Sequence, residues 1–180
     1  MWAWIIGGAV LLLVAVAIYY WNTIVVLGNR IDNAVSQIDV QLKRRADLIP
    51  SLVETVKGYM KHEKSVFKDV TDARERMMAA GKLEDRVKAS NALTGALKTI
   101  FALAENYPNL KANENFMQLQ EELSSIENKI AYSRQFYNDS VLSFNNMITT
   151  VPGMFFKGSR STRSYLEIDV AEKAMPKVQF

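Results

Sequence analysis

The sequence predicts an all-α protein in which one transmembrane helix precedes an elongated antiparallel bundle of long helices with an extended C-terminal tail. Three observations support this fold class. The first 29 residues contain no charged side chain. Apolar residues then recur at three- and four-residue spacings, the period of an amphipathic helix. No run with the two-residue period of a strand occurs before Val151.

The apolar N-terminal segment, residues 2–21, has the length of a membrane span, which needs about 20 apolar residues as a helix. Aromatic side chains favour the two headgroup regions of a bilayer, and this segment has them at both ends. They are Trp2 and Trp4 at one end and Tyr19, Tyr20 and Trp21 at the other. We therefore interpret residues 1–28 as a membrane anchor.

The alternative for this segment is a cleaved signal peptide with Ala15-Val16-Ala17 as its cleavage site. A signal peptide has a positively charged region before its apolar run, and none precedes this one. The first cations after the segment are Arg30 and the cluster at residues 43–45. Because lysine and arginine favour the cytoplasmic side, we expect a single-pass membrane protein with its C-terminal domain in the cytoplasm.

Proline and glycine set the expected ends of the first helices. The residue before a proline avoids the α region, so the helix that continues from the anchor is predicted to end or kink at residues 47–49. Pro50 would then begin a second helix that runs to about Ala80. Gly81 would end it in a left-handed cap.

Two further helices are expected, from Leu83 to Asn106 and from Glu114 to Thr149. Residues 29–150 would form the helical bundle, and Pro152-Gly153 would end its last helix. Residues 151–180 are expected to form a flexible connector, basic and serine-rich over residues 157–163, and an extended tail. The alternation of Leu166, Ile168 and Val170 weakly suggests a strand in that tail.

Two basic groups are candidate contacts for a protein partner or for anionic lipid, at about 1 kcal/mol per charge near a membrane surface. The first is Lys43-Arg44-Arg45, and the second is Lys157, Arg160 and Arg163. Three consecutive helical residues point about 100° apart and do not share one face. The alternative for the first group is a solvated helix end, where cations are favoured by the helix dipole.

Two asparagines, Asn138 and Asn145, lie seven residues apart and hence on one face of the last helix. A buried asparagine sets register in coiled coils, so these residues, with Pro50 as a break in the chain, are candidate structural determinants of register. The alternative is that both asparagines face water.

Residues suited to catalysis or metal binding are scarce. The chain has no cysteine, and its one histidine, His62, is not part of an HExxH pattern. Glu54 and Asp69 are not spaced from His62 as metal ligands usually are, and Glu121, Glu122 and Glu127 fit a solvated acidic face. The net charge of +3 is too small to indicate nucleic-acid binding by itself. We expect no catalytic residues, no cofactor, no metal and no small-molecule substrate.

Several stretches resemble the LemA family. They are IDVQLKRRADLIPSLVETVKGYMKHE at residues 38–63, NALTGALKTIFALAENYPNLKANENFMQLQEEL, SSIENKIAYSRQFYNDSV, and the terminal PKVQF. At Phe144-Asn145 this sequence departs from the Tyr-Asn of the family, which is a conservative change. The resemblance implies a single-span bacterial membrane protein with a helical domain, and it implies no catalytic residues.

These observations together favour a non-enzymatic, membrane-anchored scaffold or adaptor that presents its helices to protein partners or to copies of itself. The alternative is a peripheral sensor or organiser of anionic lipid that acts through the basic groups. A metal-dependent or hydrolytic enzyme is a third, weaker hypothesis that depends on His62 and scattered carboxylates.

Overall fold

The computed structural model describes residues 1–60 and 62–167. All regular structure in those residues is helical, as the sequence predicts. The helices are α1 (Trp2–Lys57), α2 (Lys64–Ala79), α3 (Leu83–Ala104), the single turn α4 (Pro108–Lys111) and α5 (Glu114–Thr149), and a 3₁₀ turn, Gly153–Phe155, follows.

The predicted end of the first helix at residues 47–49 is wrong, because α1 continues through Pro50 to Lys57. A proline inside a helix cannot donate to the carbonyl four residues earlier, here that of Ala46. Arg74 of α2 replaces the missing donor, since its Nε lies 2.8 Å from the Ala46 oxygen. Tertiary structure thereby satisfies the carbonyl that Pro50 leaves without its helical partner.

The break between the first two helices lies at residues 58–63 instead. Gly58 follows the last residue of α1, and glycine costs about 1 kcal/mol more than alanine inside a helix. Polar contacts hold both ends of this connection, because Asn113 donates to the Tyr59 hydroxyl at 3.1 Å and Tyr107 donates to Glu63 at 2.7 Å. The helix therefore ends where a glycine meets competing tertiary contacts.

The left-handed cap expected at Gly81 is also wrong. The residue that ends α2, Ala80, is extended at φ −68° and ψ 126°, and the one glycine with positive φ among the described residues is Gly158. The predicted ends of α3 and α5 agree with the structure to within two residues. Their apolar periodicity was the stronger signal.

Contacts between residues divide the chain into two compact units. The first unit comprises Met1–Ala34 and the chain from Arg134 onwards, and the second comprises Val35–Ser133. The proposed division into residues 1–28, 29–150 and 151–180 remains a prediction.

In the first unit, the part of α1 that follows the apolar segment packs on the last part of α5. The Arg30 guanidinium lies 4.9 Å from the centre of the Phe136 ring, and Gly28 faces Phe144. The residues buried in this unit are mostly aliphatic and aromatic: Ile24, Ile31, Ala34, Tyr137, Val141, Phe144, Ile148 and Leu166.

In the second unit, the middle of α1 contacts α2, α3 and the first part of α5, and α3 contacts α4. Most apolar residues that recur at helical spacing on these helices are buried: Ile38, Leu42, Val53, Val56, Met60, Phe67, Val87, Leu93, Leu97, Ile100, Ala104, Phe116, Leu123, Ile126 and Ile130. The edge-to-face pair of Phe101 and Phe116 joins α3 to α5 with ring centres 6.0 Å apart. Burial of this continuous apolar surface is the main force that stabilises the unit.

The apolar segment at the start of α1 is exposed along almost its whole length. By length and composition, α1 is the one described helix that is able to cross a membrane, and only 6% of its most apolar window is buried. A core helix of a soluble protein would instead be mostly buried. The arrangement fits a membrane association of this segment.

The chain after α5 forms a compact turn and then an extended segment. Gly153 is buried against the backbone carbonyl of Met147, where a Cβ atom would collide with it. Residues 161–167 have no helical or strand hydrogen-bond pattern. The weak strand prediction depends on Ile168 and Val170, which lie outside the described residues.

Candidate functional site

Arg45 is a buried charged residue of the second unit, with an exposed fraction of only 2%. Its Nη1 lies 2.8 Å from a carboxylate oxygen of Glu127 and 2.9 Å from the Ser90 hydroxyl. Its Nη2 donates to the Thr94 hydroxyl at 2.9 Å. A residue of α1 thus joins α3 and α5 through one guanidinium group.

Burial lowers the pKa of Arg45 from its ordinary value, and the nearby Glu127 carboxylate opposes this shift. Arginine nevertheless remains protonated at neutral pH. A buried cation with these partners connects helices and is inaccessible to lipid or to a partner. The expectation that Arg45 contacts either one therefore does not fit its position.

The other two cations of that cluster point outward. Lys43 is exposed and pairs with Asp47 one helical turn later. Arg44 is exposed and lies along a groove of the second unit that is lined by Asp47, Leu48, Glu122, Ile126 and Lys129. The cluster thus separates into one internal residue and two surface residues.

The second basic group lies in the first unit, beside the end of the apolar segment. The Arg160 guanidinium stacks over the Trp21 ring at 4.7 Å. Arg160 and Arg163 also line a polar groove with Asn29, Asp32, Ser159 and Ser161. Lys157 is exposed.

Asn138 and Asn145 each hold one residue of the segment that follows the turn. The Asn138 side chain donates to the Leu166 carbonyl at 3.0 Å and accepts from the Leu166 amide at 2.9 Å. Asn145 does the same with Arg163, with both bonds at 2.9 Å. Neither amide therefore simply faces water.

The two asparagines hold this segment in one register along α5. Seven helical residues span about 10.5 Å, and three extended residues span about 10 Å. The spacing of Asn138 and Asn145 therefore matches that of Leu166 and Arg163. The Tyr137 hydroxyl donates to the Ser164 carbonyl at 3.1 Å between these two points.

The aromatic residues of the apolar segment divide by contact. Trp2, Trp4 and Tyr19 are exposed. The Tyr20 ring stacks on Phe156 with ring centres 5.7 Å apart, next to the contact between Trp21 and Arg160. The end of the segment near residue 21 therefore contacts the chain that follows α5.

A metal-binding cluster is not present in residues 1–60 and 62–167. Those residues include no group of three or more His, Cys, Asp or Glu side chains that could hold a metal ion. His62 is exposed. Glu127 pairs with Arg45, in contrast to the solvated acidic face that the sequence suggested.

Comparison with known proteins decides the family. Residues 34–180 match the LemA family, which is most of the chain. The chain belongs to the LemA family. Every residue of both basic groups lies within the matched range, as do Pro50 and the two asparagines.

Relatives of this LemA-family chain include two magnetosome proteins. One is the magnetosome protein MamQ of Magnetospirillum gryphiswaldense, 27% identical over 65% of this chain and 53% of its own length. The other is the magnetosome protein MamQ 2 of Paramagnetospirillum magneticum, 25% identical over 80% of this chain and 62% of its own length.

A third relative is Protein LemA of Metamycoplasma hominis, 29% identical over 68% of this chain and 56% of its own length. The chain thus spans between about half and three-fifths of the length of these relatives. The activities and partners of the whole relatives are not transferred to it.

Sequence reasoning missed the partners of the candidate residues. Ser90, Thr94 and Arg74 are ordinary polar residues of helices, and no spacing relates them to residues 45 and 46. The helical period did give one clue, because Arg45 lies one helical turn from both Leu42 and Ile49, which are buried on α1. A helical-wheel assignment of residues 38–49 would have placed Arg45 at the edge of the apolar face.

Proposed function

We propose that this LemA-family chain is a non-enzymatic, membrane-anchored scaffold or adaptor in the bacterial cell membrane. Its N-terminal segment would cross the bilayer once, and its helices, arranged as an antiparallel bundle on the cytoplasmic side, would contact protein partners or copies of the chain. The observation that supports this most directly is the exposed apolar segment at the start of a helix that continues into the folded body.

The length and exposure of the apolar segment support the anchor. Twenty residues at 1.5 Å each give about 30 Å, the thickness of the hydrocarbon core of a bilayer. Residues 2–15 are all exposed, including Ile5, Leu11 and Leu12. Each such side chain gains about 1.5–3 kcal/mol on transfer out of water.

The use of ionisable groups supports a role without catalysis. Arg45 pairs with Glu127, Arg86 pairs with Asp39 at 3.3 Å, and Tyr107 donates to Glu63. The two ion pairs connect helices and the hydrogen bond connects two loops, so these groups have structural partners. Anchoring such a body confines it to the membrane plane and raises its effective concentration for partners there.

The groove beside Arg44 is the surface that we propose for a protein partner. It combines apolar side chains, Leu48 and Ile126, with both signs of charge, Arg44 and Lys129 against Asp47 and Glu122. Apolar contacts supply affinity, and the charge pattern supplies orientation and selectivity. A partner helix with complementary charges fits these features.

Crosslinking in intact membranes tests this function. A photoreactive residue in place of Ser125, which also lines the groove, should capture a discrete partner or a second copy of the chain. Arg44→Glu should reduce that capture several-fold. Lys98→Glu is the matched control, because Lys98 is exposed on α3 and does not line the groove. Equal capture by both variants, or enzyme-like turnover by the purified chain, would contradict the proposal.

A second candidate, an organiser of anionic lipid, is favoured by the position of Arg160 over Trp21 at the end of the apolar segment. When the chain is reconstituted into mixed vesicles, anionic lipid should be enriched around it. Quenching by labelled phosphatidylglycerol measures this enrichment. Enrichment that does not change with salt would argue against this candidate, because screening weakens such contacts.

A further inference from the structure

The turn formed by residues 151–156 exposes large apolar side chains. Val151 is 72% exposed and Phe155 is 73% exposed, and Met154 between them is also exposed. Scattered single exposures are ordinary, but a contiguous apolar patch indicates a surface for interaction.

The backbone of the turn holds these side chains in place. The Met154 amide donates to the Thr150 carbonyl at 2.8 Å, and the Phe156 amide donates to the Gly153 carbonyl at 2.9 Å. Gly153 is buried against the Met147 carbonyl, where the Cβ atom of any other residue would collide. The exposure of Phe155 is therefore a property of the folded turn.

Two aromatic contacts set the position of the turn beside α1. Phe156 stacks on Tyr20, with an angle of 17° between the rings, and Arg160 lies over Trp21. Tyr20 and Trp21 end the apolar segment, where aromatic rings favour the headgroup region. When α1 crosses a bilayer, the turn lies at the depth of that region.

Most charged groups around the turn are cationic, although Asp32 of α1 also lines the groove of Arg160 and Arg163. The sequence has no acidic residue between Asp139 and Glu167, whereas Lys157, Arg160 and Arg163 are cationic. Apolar side chains beside cations are the pattern of segments that insert at the interface of anionic membranes. A soluble protein partner would not need the patch to lie at the end of the apolar segment.

We propose that the turn formed by residues 151–156 is a second membrane attachment, which inserts Val151, Met154 and Phe155 into the leaflet that α1 leaves. Lys157 and Arg160 bind the lipid phosphates of that leaflet. This proposal depends on the anchor in the proposed function, because the turn reaches the leaflet only if α1 crosses it. The C-terminal end of α5 is then held at the bilayer surface.

The absence of cysteine from the chain allows a direct test with single-cysteine variants of the whole chain. Phe155→Cys would be labelled with an environment-sensitive fluorophore and reconstituted into vesicles of equimolar phosphatidylcholine and phosphatidylglycerol that contain spin-labelled lipid. We expect a blue-shifted emission and several-fold stronger quenching than at the control position, Tyr132→Cys. Tyr132 is equally exposed at 72% and lies on α5 about 25 Å before the C-terminal end of that helix.

A third variant separates this proposal from the anchor itself. The label at Leu12→Cys, within the apolar segment, reports whether α1 is in the bilayer. Quenching at residue 12 with water-like emission at residue 155 overturns the second attachment and leaves the anchor intact. Water-like emission at both positions overturns both. Emission at residue 155 that is blue-shifted without lipid quenching indicates a protein partner and also overturns the proposal.

Charge reversal tests the role of the cations. Lys157→Glu with Arg160→Glu should reduce the quenching at residue 155 several-fold in anionic vesicles and only slightly in pure phosphatidylcholine. Lys88→Glu with Lys98→Glu is the control for net charge, because both lysines are exposed on α3. Equal effects of the two pairs would contradict binding of phosphates by Lys157 and Arg160.

Discussion

The Nε of Arg74 lies 2.8 Å from the carbonyl oxygen of Ala46, the residue four positions before Pro50. The contact explains how a helix passes a proline without an unsatisfied carbonyl. A proline in a helix interior costs about 3 kcal/mol through the lost bond and the clash of its ring. A charged donor from another helix offsets part of that cost.

The first prediction concerns this pair. Arg74→Met should lower the free energy of unfolding by about 1.5–3 kcal/mol, the usual contribution of a hydrogen bond to a charged group. In a Pro50→Ala background the same substitution should cost less, because the amide of residue 50 then donates to Ala46. Chemical denaturation of the four proteins in detergent measures the coupling. Equal costs in both backgrounds would show that Arg74 acts independently of Pro50.

The second prediction concerns the two partners of the buried ion pair. Glu127→Gln should destabilise the chain more than Arg45→Met, because it leaves a buried cation without its counter-charge. The Glu127 side chain is 40% exposed, so we expect about 1–3 kcal/mol rather than the larger loss of a fully buried pair. Glu122→Gln is a suitable control, because Glu122 is exposed. A larger loss of stability in Arg45→Met than in Glu127→Gln, measured by thermal unfolding, would contradict this assignment.

The third prediction concerns the asparagines that hold residues 163 and 166. Asn138→Ala should remove both bonds to Leu166 and lower stability by about 1–3 kcal/mol, with faster proteolysis between residues 157 and 167. Asn145→Ala should act at Arg163 in the same way. Asn146→Ala is the matched control, because its side chain is exposed on the same helix. Proteolysis at the wild-type rate in Asn138→Ala would refute the proposed role.

The fourth prediction is a loss of stability at high pH. The hydrogen bond to Glu63 raises the pKa of Tyr107 above its ordinary value of 10.0. The folded chain therefore holds this proton more tightly than the unfolded chain, so the contribution is complete below pH 10 and disappears as pH rises through the folded pKa. The melting temperature should decrease more steeply above pH 10 in the wild type than in Tyr107→Phe. Parallel curves would show that the bond does not contribute.

Much of this architecture follows from local pattern alone. An uncharged apolar run such as residues 2–21 has few ways to avoid water. The spacing of Leu93, Leu97 and Ile100 places their side chains on one face of a helix. Hence α3 and α5 were predicted with nearly correct bounds. The family could also be recognised, because its characteristic stretches occur in order along the chain.

Tertiary structure decided what local pattern could not. In the sequence Pro50 indicates a helix end, but in the structure Arg74 donates to the carbonyl that Pro50 leaves without a partner. In the sequence Arg45 indicates a surface cation, but in the structure it is buried among Glu127, Ser90 and Thr94. The two asparagines have partners that follow α5 in the sequence and fold back along it. In each case a polar group is satisfied by residues distant in the chain. Hydrogen bonds of this kind leave no periodic pattern in a single sequence, whereas the burial of apolar surface does leave one.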